Sequence, residues 1–331
     1  MVCVVWLLTW ISPLSAQTPD ADLSKANELY DLKKYPEARD AFARWLAAYG
    51  VHPLRAVVMF NMGLAWEKEE KWDRALDAYK KSMEISQKGS AEFKDALYRA
   101  VFCYEKLGDW KSAKMSLGAL EGYTLTTYRL AEFSIRKWYL DWLQSEKGAG
   151  PKPSLVDLEK NYQRFEKLRR TGVVPFDSLE IFARAALTLG RNKVSLLKTP
   201  KNKDEFETMA NGILEAQHYL FQTLSFGGYS DRRDALYVLG SAYEKWIQSG
   251  MEIPPPQDLE GSEREAYVNE MKRELLPLYD RVVAIYEKEY DLSLKSNATG
   301  LNRALEDINV RVLRAKGVVN QWRREVSSAK P

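Results

Sequence analysis

A set of small and aromatic residues that returns every 37 or 38 positions constrains this chain more than any other feature. In GLAWEKEEKWDRALDAYKKSME, residues 63–84, it comprises Gly63, Trp66, Trp72, Ala75 and Tyr79. The same intervals hold Ala26, Leu29, Tyr35, Ala38 and Phe42 before it, and Val101, Tyr104, Trp110, Ala113 and Leu117 after it. A fixed period in this range predicts a helical solenoid.

Helix geometry explains the spacing. The first two residues of each set lie three apart on one helix face. The small one lets a second helix approach, and the larger one fills the space beside it. After a polar turn, Ala75 and Tyr79 lie four apart and face back across the contact. The aromatic at the turn, Tyr35, Trp72 or Trp110, closes the apolar end of the hairpin. Burying such a ring contributes a few kcal/mol, at about 25 cal/mol per Å2 of apolar area. One hairpin cannot cover its own apolar faces, so neighbours must stack.

Over residues 22–121 these sets resemble the tetratricopeptide repeat family, most clearly in KKYPEARDAF, EKWDRALDAY and GDWKSAKMSL. The resemblance implies an all-α fold, a right-handed α-solenoid of antiparallel helix pairs. The family period is about 34 residues, so each copy here carries three or four extra. In that respect the chain resembles the longer repeats of bacterial envelope members, such as outer-membrane assembly and cell-division coordinator proteins. Gly50 with Pro53, and Gly89 with Ser90, punctuate the breaks between copies.

Residues 17–145 read as three repeats plus a following helix in TTYRLAEFSIRKWYLDWLQ. EKGAGPKPS, residues 146–154, reads as a Gly/Pro linker. Residues 155–331 read as degenerate helical repeats. In ALYVLGSAYEKW, Gly240 and Tyr243 restore the Gly63–Trp66 relation, and a delayed partner resumes in LLPLYDRVVAIYEKEY after the Pro-rich stretch near Pro254. The chain closes on an apolar stripe of Leu301, Leu305, Ile308, Val312, Ala315, Val319 and Trp322, flanked by Arg303, Arg311, Arg314, Arg323 and Arg324. It reads as a capping helix, or as a helix for a partner or a membrane surface.

The first sixteen residues, MVCVVWLLTWISPLSA, are uncharged and apolar. They are shorter than a bilayer span and fit a signal peptide ending at Ala16, although no basic residue precedes the apolar run. A buried or membrane-anchoring helix is the alternative. Cys3 lies at the front of the run, so Cys103 alone remains after cleavage and packing must hold the fold without a disulfide. The expected location is periplasmic or secreted. With 49 basic and 46 acidic residues the chain is nearly balanced, which gives no reason to expect nucleic acid as a partner.

No pattern for catalysis, a metal or a cofactor emerges. His52 and His218 stand apart without ligand-spaced partners. Gly227–Gly228 reads as a helix stop, not a phosphate loop. The basic stretch Lys167–Arg170 reads as a solvated face.

The family resemblance instead implies a groove. In members that clamp the C-terminal carboxylate of an extended peptide, two asparagines and three basic residues face it from successive first helices. By spacing, Asn27, Asn61 and Arg99 match three of those positions, while Leu23 and Asp95 stand where the family has lysines. The implied ligand is an extended or helical protein segment without a required terminal carboxylate. The resulting expectation is an exported scaffold or adaptor of the bacterial cell envelope, with peripheral association to the outer membrane or an envelope complex. An outer-membrane or secretion-machinery assembly factor is the alternative. A peptidoglycan- or carbohydrate-handling enzyme would need converging carboxylates in the C-terminal half.

Overall fold

The structure is a computed structural model that describes residues 18–123, 127–148, 150–171, 176–295 and 301–328, with side chains omitted at 127–128, 176–178 and 301–304. The signal-like segment 1–16, with Cys3 and Ala16, lies outside the described residues, as do the side chains of Leu301 and Arg303. The fold is an all-α solenoid of stacked helix pairs, with no strand among the described residues. It divides into two compact units, residues 1–125 with 146–149, and residues 126–145 with 150–331.

The first unit holds three hairpins. They pair α1 (Pro19–Asp31) with α2 (Tyr35–Ala48), α3 (Arg55–Lys68) with α4 (Trp72–Ile85), and α5 (Ala91–Leu107) with α6 (Trp110–Glu121). Tyr35, Trp72 and Trp110 each open a second helix. Ala26, Ala38, Phe42, Gly63, Ala75, Tyr79, Val101, Ala113 and Leu117 are buried, whereas Leu29, Tyr35, Trp66, Trp72, Tyr104 and Trp110 are half-buried at the edges of the contacts. Gly63 shows why the small residue matters: a Cβ there would stand 2.5 Å from Cε1 of Tyr79. Hydrogen bonds between the two helices of a hairpin tie each pair together, with Trp45 Nε1 donating to the Pro19 carbonyl at 2.7 Å and Ser82 Oγ to the Ala56 carbonyl at 2.8 Å.

The turns repeat as faithfully as the packing. Lys33, Glu70 and Gly108 all adopt left-handed backbone, with φ of 61°, 58° and 74°. The residue after each donates its N–H back to the carbonyl of Leu29, Trp66 or Tyr104, at 2.9, 3.1 and 2.9 Å. That six-residue closure satisfies carbonyls which the helix end would leave open.

The second unit contains α7 (Thr127–Glu146), α8 (Leu155–Thr171), α9 (Phe176–Ser195), α10 (Lys203–Phe226), α11 (Tyr229–Glu252), α12 (Gly261–Lys295) and α13 (Leu301–Ser328). Here the structure departs from the sequence grouping. Ala131, Ile135 and Trp138 of α7 share a core with Leu158, Tyr162 and Phe165 of α8, so α7 belongs to the second unit. The Gly/Pro segment therefore joins two helices of one core, and Trp138 Nε1 donates to the Ser154 carbonyl at 2.7 Å to hold it. The break between units falls instead near residue 125. Glycine and proline report a local inability to continue a helix, not the boundary of a core.

The other large core joins α10, α11, α12 and α13 through residues such as Leu220, Leu239, Tyr286 and Val312. The α11–α12 pair reproduces the hairpin relation of the first unit across the Pro-rich loop, with Val282 and Tyr286 standing four apart opposite Gly240 and Tyr243. Ile308, Val312, Ala315 and Val319 bury the stripe of α13. Three of its arginines are committed to ion pairs: Arg311 to Glu289 at 2.9 Å, Arg314 to Glu244 at 2.7 Å and Arg323 to Asp280 at 2.7 Å.

Candidate partner-binding groove

The repeat register places Asn27 on α1 and Asn61 on α3 at neighbouring positions. The Asn61 amide donates to Oδ1 of Asn27 at 3.1 Å. Each amide group has two donor hydrogens and an acceptor oxygen, so this single bond leaves much of the pair unused. The Asn27 NH2 and the Asn61 carbonyl oxygen make no other hydrogen bond among the described residues. The pair sits at a pocket of about 260 Å3 that Tyr30, Asp31, Phe42 and Leu64 also line. A donor and an acceptor beside a recess that Phe42 and Leu64 partly line match the edge of a peptide backbone with one side chain pointing inward.

Arg99 does not complete this site. Its Nη1 lies 3.2 Å from Oε1 of Glu67, while Oε2 of the same carboxylate accepts from the Tyr79 hydroxyl at 2.7 Å. Burial, then the Glu67 charge, pushes the Tyr79 hydroxyl well above its ordinary range. Arg99 is therefore spent within the repeat stack. Spacing placed it on the same face but carried no sign that Glu67, six residues beyond Asn61 on the same helix, would reach it. Of the two positions where lysines would complete a clamp, Leu23 is buried in the hairpin core and Asp95 is exposed.

Tyr30 and Asp31 are pocket residues that the spacing argument missed. Tyr30 stands four residues after Ala26, at the repeat position that Glu67 holds after Gly63. That correspondence was available in the sequence. Burial first, then Tyr35 and Glu67, raises its hydroxyl above the ordinary value.

The remaining reactive groups are structural. Cys103 is fully buried, and burial with the nearby Glu67 charge pushes its thiol up to about 12. His52 Nδ1 accepts from the Leu54 N–H at 3.2 Å and packs edge-on against Trp45. His218, exposed on α10, approaches Glu166 at 3.4 Å. Within the basic stretch, Arg170 pairs with Glu166 at 2.7 Å and Arg169 lies over the Phe226 ring at 4.8 Å. The buried carboxylates among the described residues, Glu132, Glu166, Glu244 and Glu289, each hold an arginine. Among the described residues no cluster of three or more His, Cys, Asp or Glu is placed to hold a metal ion, and no helix is long and apolar enough to cross a membrane.

Comparison with known proteins finds the repeat in the third hairpin. Residues 95–121, spanning most of the α5–α6 hairpin, match the family model for the tetratricopeptide repeat. A tetratricopeptide repeat protein from Parabacteroides merdae is 12% identical, with 89% of this chain and 98% of that chain covered and a TM-score of 0.44. A TPR repeats protein from Bacteroides fragilis is 12% identical, covering 91% and 99%, with a TM-score of 0.31. The TPR2AB domain of yeast Sti1 in complex with HSP90 is 11% identical, covering 90% and 98%, with a TM-score of 0.27. No curated protein matches the chain.

Proposed function

From a chain that carries tetratricopeptide repeats, we propose a protein-interaction scaffold without catalytic activity, whose first unit grips a segment of a partner protein along α1 and α3. The observation that carries this reading is the Asn61–Asn27 hydrogen bond, which holds an unused donor and acceptor at the mouth of the Tyr30–Phe42–Leu64 recess. The partner presents an extended backbone to the amides and one apolar side chain to the recess. No terminal carboxylate is required, because Arg99 is already paired with Glu67. Each buried carboxylate of the second unit is held by an arginine within the helix stack, which gives it a structural role in this reading.

The apolar residues 1–16 support export, with cleavage after Ala16, and a role as an adaptor in a bacterial cell envelope. The length of the repeats favours association with an envelope complex or the outer membrane, and assembly-factor activity there is the second form of this reading.

Affinity capture from native envelopes tests both parts, using the full chain beside an Asn27→Ala/Asn61→Ala variant. The expected result is an envelope protein retained by the wild type and lost by the variant. Identical captures by both, or only cytoplasmic proteins in either, would overturn the groove or the compartment respectively. Mass spectrometry of the exported chain reads the cleavage site directly.

A further inference from the structure

The second unit has a groove unrelated to the asparagine pair. Tyr286 against Gly240 and Leu275 near Gly250 show that α11 and α12 run antiparallel. Phe206 against Trp246, with the Tyr243–Gln217 hydrogen bond, shows the same for α10 and α11. Helices α10 and α12 are therefore parallel and flank α11, which forms the floor of a cavity of about 460 Å3. Leu236 and Leu239 of α11 make the bottom, Phe221 and Leu224 of α10 one wall, and Ile285 of α12 the other. Phe221 is 47% exposed there.

Charge gives the groove its selectivity. On α12, the residues turned to α13 are paired: Asp280 with Arg323, Glu287 with Lys316 and Glu289 with Arg311. Arg281 and Lys288 line the groove instead, and among the described residues neither has an ion-pair partner. They stand seven residues apart on one helix, about 10.5 Å along the axis at 1.5 Å per residue. We propose that this groove docks an amphipathic α-helix of another protein, with an apolar ridge over Leu236, Leu239 and Phe221. Two carboxylates spaced seven residues apart on its flank meet Arg281 and Lys288. A second helix is the occupant because parallel walls accept a helical ridge, and its acidic flank supplies the ion-pair partners that Arg281 and Lys288 lack among the described residues.

The test uses the full chain and a fluorescent helical peptide of about 18 residues, with leucines on one face and two glutamates seven apart. Its twin carries lysines at those two positions. By anisotropy, the glutamate peptide is expected to bind at least about ten-fold tighter than the lysine twin. Arg281→Glu/Lys288→Glu should reverse that order, and Phe221→Asp should abolish binding of both. All three positions are exposed, and circular dichroism verifies that the variants stay helical. The Asn27→Ala/Asn61→Ala variant should bind the peptide as the wild type does, which separates this site from the first-unit groove. Equal affinity for the twins, no binding by the wild type, or loss in the asparagine variant would overturn the proposal. So would a wild-type dimer that Phe221→Asp converts to monomer in sedimentation velocity, because a second copy would then be the occupant.

Discussion

The ring of Tyr286 lies so close to the backbone of Gly240 that a Cβ on Gly240 would stand 2.4 Å from Cε1. The Tyr286 hydroxyl donates to Glu244 at 2.7 Å, and Arg314 holds the other oxygen of that carboxylate at 2.7 Å. Gly63, Tyr79, Glu67 and Arg99 make the same arrangement in the first unit. The second unit thus rebuilds the hairpin contact in full, with a long Pro-rich loop between its two helices.

Replacing either glycine by alanine sets two effects against each other. Alanine gains about 0.8–1.0 kcal/mol of helix propensity. Overpacking costs about 1–3 kcal/mol, and the rings cannot swing aside easily because their hydroxyls are tethered. Packing wins. Gly63→Ala and Gly240→Ala should each show a net loss of up to about 2 kcal/mol, read as a lower urea midpoint. A midpoint equal to or above the wild type would mean that the rings are not fixed.

The three left-handed turns should respond to substitution in opposite directions. Lys33 and Glu70 bear a side chain where left-handed backbone costs about 1–2 kcal/mol, and glycine's greater freedom when unfolded offsets part of the gain. Lys33→Gly and Glu70→Gly should each raise stability by up to about 1 kcal/mol, whereas Gly108→Ala should lower it by a similar amount. Thermal melts of the three variants decide it, and an unchanged or lower melting temperature for both glycine variants would remove the strain argument.

Arg99 and Glu67 should behave as one unit. Their side chains are 22% and 16% exposed, so a double-mutant cycle with Arg99→Ala and Glu67→Gln should show coupling of about 1 kcal/mol. Additive losses would release Arg99 from the stack and restore it as a contact for a ligand.

Glu289 supplies a pH signature. Burial holds its carboxyl above the ordinary value, with Asp234 adding to this and Arg311 and Arg233 only partly opposing it. The folded chain then binds this proton more readily than the unfolded chain, so the contribution is full in acid and is lost as pH rises through the folded pKa. Glu289→Gln removes that dependence. The melting temperature of the variant relative to wild type should therefore move in the variant's favour between about pH 4 and pH 7. Movement the other way would mean that the bidentate Arg311 pair outweighs burial.

The helix pairs of the first unit, the register of its three copies and the residues that must be small follow from the order of amino acids alone, because helix periodicity and volume are local properties. That order also placed Asn27 and Asn61 on one face. Which charges are paired emerges only when the helices are packed together. The pairing of Arg99 with Glu67, 32 residues apart, and the lack of ion-pair partners for Arg281 and Lys288 among the described residues depend on how side chains meet between helices, which no spacing records. The same reason moved the break between units from the Gly/Pro stretch to the end of α6: a core is bounded by where apolar faces meet, and the faces of α7 meet those of α8.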